Sequence, residues 1–122
     1  MKILWLSRHQ MTAAQLADLR GVLTRDFFTG ASMAPVETMN LTLPAHSEAA
    51  LDELVALART HQLCDQWDAQ DGGCIAAVLP AHIAAAVARD RLKSTRLACP
   101  VYVPVSVPAP AVDGETRGGG FL

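Results

Sequence analysis

Three short clusters hold the residue types that could handle a phosphate or carboxylate ligand: Ser7-Arg8-His9, His46-Ser47 and Pro80-Ala81-His82. A guanidinium such as Arg8 can grip an anion through paired hydrogen bonds. Imidazole is the side chain that changes charge near neutral pH, so His9, His46 or His82 could transfer protons. Arg8 and His9 are the expected catalytic pair. Ser7, Thr12, His46, Ser47 and His82 are the expected ligand-binding residues. Zinc on His9, His46 and His82 would leave an open fourth position, which is a catalytic geometry. No H-x-x-x-H on a helix supports it, and no metal is expected. Neither G-x-G-x-x-G nor G-x-x-x-x-G-K-[ST] occurs, which excludes the usual dinucleotide and P-loop sites, and no cofactor is expected.

Other clusters read more simply. Cys64, Cys74 and Cys99 are odd in number and lack C-x-x-C spacing, as expected of reduced, partly buried thiols. Arg89, Arg91, Lys93 and Arg96 could grip an acidic partner or a nucleic-acid backbone, but fit a solvated helix end that complements the dipole. Asp65, Asp68 and Asp71 fall short of a calcium-loop pattern and read as a solvated loop. Trp5 and Trp67 read as packing residues.

The chain that must position these groups has 122 residues, 51% hydrophobic and 18% charged, with a formal charge of −2. That suits one folded domain and excludes disorder over most of the length. The charge argues against general nucleic-acid or membrane-surface binding. The apolar run Ile3–Leu6 is shorter than the roughly 7–15 residues of a secretory core, and no run approaches a bilayer span. A cytoplasmic location with no membrane partner is expected.

Strand and helix patterns alternate. Lys2–Ser7 reads as a buried strand. Thr12 and Gln15 form a capping box ahead of a helix over Ala13–Leu23, with Leu16, Leu19 and Leu23 on its apolar stripe. Asp26–Pro35 reads as a loop whose Phe27 and Phe28 dip into the core. Met39, Leu41 and Leu43 alternate with Asn40 and Thr42, predicting a strand ended by Pro44. Ser47 is expected to cap a second helix carrying Leu51, Leu54, Val55 and Ala58, with His61 at its end. Residues 62–73 read as a loop, holding at most one short strand around Trp67. Cys74–Leu79 predicts a strand covered on both faces. Pro80 suits the first turn of a third helix, with Ile83, Val87 and Leu92 leading to Lys93. Cys99–Val107 predicts a last strand with Val101, Val103, Val105 and Val107 on one face. Pro100 and Pro104 remove ladder donors, so this strand belongs at an edge.

A β-α-β-α-β-α-β order implies parallel strands joined by helical crossovers. The expected fold is α/β: one three-layer, Rossmann-like or flavodoxin-like domain over 1–107. Its mostly parallel sheet has about four strands in the order 2-1-3-4, with helices on both faces, and 108–122 is a Pro/Gly-rich tail. In such sheets ligands bind beyond the carboxyl ends of the strands, where all three clusters would gather.

The stretch Ile3-Leu4-Trp5-Leu6-Ser7-Arg8-His9-Gln10-Met11-Thr12-Ala13-Ala14-Gln15-Leu16 resembles the start of small CRISPR-associated proteins of the CARF-like, ring-nuclease type. They open with a strand, a Ser-His loop and a T-x-x-Q helix start. The resemblance implies binding or cleavage of cyclic oligoadenylate at a symmetric dimer, with Ser7 and His9 near the ligand. Cys74–Pro80 departs from that family, lacking a glycine-rich or Lys/Arg-bearing turn.

Two functions are therefore expected. One is binding of a phosphate-bearing small molecule or nucleotide, including a cyclic oligonucleotide, with weak phosphodiesterase activity as its enzymatic form. The other is a non-enzymatic interaction protein, of bacterial or prophage origin, that forms a homodimer through its last strand.

Overall fold

The computed structural model describes residues 2–26, 34–64, 72–93 and 96–104. Its elements are β1 (Lys2–Leu6), α1 (Ala13–Asp26), β2 (Val36–Met39), α2 (Ser47–Thr60), β3 (Gly73–Ala77), α3 (Ala81–Lys93) and β4 (Val101–Tyr102). The four strands form an all-parallel sheet in the order β2-β1-β3-β4. This is the expected Rossmann-like α/β architecture, with the proline-flanked strand at an edge. No described helix is long and apolar enough to cross a membrane.

Period-two side-chain alternation divides the core between the sheet's two faces. Leu4, Leu6, Ile75 and Ala77 pack with Leu51, Leu54, Val55 and Ala58 of α2 and with Ile83 and Val87 of α3. Ile3, Trp5, Cys74, Ala76 and Tyr102 pack with Leu19 and Leu23 of α1. Thus α1 covers one face, and α2 with α3 covers the other. Every residue of β3 is buried, as its continuous apolar run requires.

Glycine is demanded where β3 begins. Gly72 adopts φ 99°, and its carbonyl accepts the Lys2 N–H at 3.2 Å. At Gly73 a Cβ would run into the Lys2 carbonyl oxygen and the Leu63 side chain. The backbones of β1 and β3 approach here too closely for any other residue.

Several expected boundaries move. The second strand lies at Val36–Met39, earlier than the alternation predicted. The Ser7 N–H reaches the Met39 carbonyl at 2.9 Å, and Leu41 N–H then turns back to the same oxygen at 3.1 Å. The ladder stops because β1 has left the sheet. Leu41 and Leu43 still pack on the core, but from irregular chain. The third strand stops at Ala77, leaving Val78 exposed. Among the described residues the last strand is Val101–Tyr102. Its face is as expected, since Cys99, Val101 and Val103 lie on the α2/α3 side. Leu92 is 86% exposed and does not share the buried stripe of Ile83 and Val87. Expectations for Phe27, Phe28, Asp65, Trp67, Asp68, Asp71, Val105, Val107 and the tail 108–122 lie outside the described residues.

Candidate functional site at the carboxyl edge of the sheet

Because all four strands run the same way, the turns after β1, β2 and β3 emerge at the sheet's carboxyl edge. That places Ser7, Arg8, His9 and Thr12 in one turn, His46 and Ser47 in the next, and His82 in the third. His61 ends α2 at the opposite edge, where its Nδ1 lies 3.1 Å from Lys2 Nζ.

The β1–α1 turn is built by its own side chains. Ser7 Oγ accepts the His9 N–H at 3.1 Å. The indole N–H of Trp5, whose ring is buried, donates to the His9 carbonyl at 2.8 Å. A core aromatic therefore sets where His9 sits, a role sequence reasoning missed by treating Trp5 as packing alone. Its one signal was an indole four residues before the histidine. The capping box forms as expected: Thr12 N–H donates to Gln15 Oε1 at 3.0 Å, and Gln15 N–H donates to Thr12 Oγ1 at 3.1 Å. Ser7 and Thr12 hydroxyls thus each accept one bond and retain a proton to donate. The side chains of Arg8 and His9 are exposed.

The second turn corrects an expectation. His46, not Ser47, is the N-cap residue of α2, in extended conformation and without a side-chain cap bond. Ser47 is the first helical residue, and the His46 carbonyl accepts the Ala50 N–H at 2.9 Å. In the third turn the Pro80 carbonyl accepts the N–H groups of Ile83 and Ala84, so Pro80 immediately precedes α3. His82 Nε2 lies 2.7 Å from the Ala45 carbonyl oxygen. That contact requires a proton on Nε2, so His82 braces the second turn against the third. Its partner, a carbonyl 37 positions away, carries no sequence signal.

These bonds leave the first amides of all three helices directed at the same edge: Ala13 and Ala14, Ser47 to Ala49, and Ala81 and His82. Such amides, at the positive ends of helix dipoles, favour an anion. No three His, Cys, Asp or Glu side chains among the described residues lie close enough to share a metal ion, so His9, His46 and His82 do not converge as zinc ligands.

A concave feature lies between α2 and α3. It is a groove of about 250 Å³ lined by Glu48, Leu51, Ala86, Arg89, Asp90, Lys93 and Arg96. The basic cluster of the sequence is partly engaged there. Arg91 donates to the Leu97 carbonyl at 3.1 Å. Arg96 pairs with Asp52 and lies 3.5 Å from Glu48. Its hydrogen bond to Asp52, aided by neighbouring carboxylates, outweighs desolvation and raises its pKa. Asp90, 6% exposed, accepts the N–H groups of Leu97 at 2.9 Å and Arg96 at 3.3 Å. Comparison with known proteins finds no matching family model, curated protein or solved structure.

Proposed function

We propose that the protein binds a phosphate-bearing small molecule or nucleotide at the carboxyl edge of its sheet. Arg8 supplies the charge, the helix amides and the Ser7 and Thr12 hydroxyls supply directional donors, and His9 is the proton carrier. The observation that carries this reading is the parallel β2-β1-β3-β4 order, which puts three helix starts and the Arg8–His9 turn on one edge. Cyclic oligoadenylate is the first ligand to test, given the resemblance of Ile3–Leu16. The measurement is thermal stabilisation of the whole chain by nucleotides, cyclic oligonucleotides and divalent metals, with product analysis for phosphodiester cleavage. A hit that disappears in the double variant Arg8→Ala with His9→Ala supports the reading. A hit of equal size in that variant refutes it.

A second reading is self-association through β4, favoured by that strand's place at the sheet edge. There Val103→Lys would lower the mass in solution and leave any ligand effect intact. An unchanged mass in Val103→Lys counts against this reading.

A further inference from the structure

We propose that the groove between α2 and α3 is a second anion site, for a small phosphate monoester, separate from the site at the carboxyl edge. Arg89 and Lys93 stand one helical turn apart on α3, and Arg96 follows the helix, yet all three line one concavity. Arg89 and Lys93 are exposed and share one face at i,i+4 spacing, a like-charge arrangement that destabilises a helix and that a bound anion would relieve.

The acids of the groove do not supply that counter-ion. Asp90 is committed to the amides of Arg96 and Leu97. Glu48 and Asp52 are committed to Arg96. Among the described residues, Arg89 and Lys93 are left without an ion-pair partner. With Asp52 included, three carboxylates face three cations here, so the attraction for an anion is local: the planar fork of Arg89 beside the point charge of Lys93 matches phosphate oxygens. Leu51 and Ala86 form an apolar floor. At about 250 Å³ the groove has room for a phosphate carrying a body of a few carbons. Glu48 faces the same space and would repel the ligand, so it sets an upper limit on affinity.

The test is an amide-resolved NMR titration of the full chain with inorganic phosphate, and separately with succinate, at fixed ionic strength. Saturable shifts are expected in Ala86–Lys93 and Glu48–Asp52. The double variant Arg89→Gln with Lys93→Gln should weaken phosphate binding about tenfold or more. Glu48→Gln should tighten it, and phosphate-induced shifts at Ser7–Thr12 should titrate independently of those in Ala86–Lys93, which separates this site from the one at the carboxyl edge. Phosphate should bind more tightly than succinate. The proposal fails if shifts in Ala86–Lys93 are absent or non-saturable, if the double variant keeps them at the parent's affinity, or if succinate produces them equally well.

Discussion

The tightest steric demand falls on Gly73. Any Cβ there meets the Lys2 carbonyl oxygen in the ladder that joins the two central strands, and backbone cannot yield as a side-chain tip can. Gly73→Ala is expected to destabilise the fold by about 2 kcal/mol or more, read as a lower denaturant midpoint. Cys74, the next residue, makes a different demand. Burial, and to a smaller degree Cys99, pushes its thiol well above the ordinary range. The folded chain thus holds Cys74 neutral where the unfolded chain would ionise it. That stability is complete below the ordinary thiol pKa of about 8.5 and declines as pH rises above it. Urea unfolding followed from neutral to alkaline pH should show this decline. Cys74→Ala, though less stable at neutral pH, should show a shallower one.

At the scale of elements, α1 contains both a strong local signal and a weak one. The Thr12–Gln15 box closes with both bonds made, so Thr12→Ala should cost about 1 kcal/mol. Gly21 lies on an exposed side of the same helix with open space around its Cα. Gly21→Ala should therefore raise stability by about 0.5–1 kcal/mol. Thermal or chemical unfolding of the two variants checks both signs. The same contrast explains what the sequence disclosed. The apolar stripes of the helices, the capping box of α1, and β3 with its apolar run were readable because their signals are local. Pro100 and Pro104 placed β4 at an edge because they remove N–H donors; the Pro100 carbonyl still accepts the Ile75 N–H at 3.1 Å. The end of β2 was unreadable because it depends on where its partner β1 departs, at Ser7. Leu92 misled because an apolar residue at near-helical spacing says nothing about whether a neighbour lies opposite. The placement of Arg8 and His9 followed from topology, whereas the His82–Ala45 contact and the Trp5–His9 clamp are tertiary facts.

For the whole molecule, the governing feature is that β1 lies between β2 and β3 rather than at a margin. Its residues pair with partners far along the chain: Ile3 with Val36, and Lys2 with Gly73. Long sequence separations of this kind slow folding, because loop-closure entropy is lost before any pairing compensates it. During synthesis β1 emerges before β2 and β3, and one of its flanks stays unmatched until the Gly73 region follows. Over that interval its backbone donors and the apolar Ile3–Leu6 segment are open to chaperones or to other nascent copies. A fragment ending at residue 64 should therefore lack cooperative unfolding and aggregate more readily than the full chain. If such yield losses occur in expression, they should respond to lower temperature or added chaperone rather than to surface substitutions.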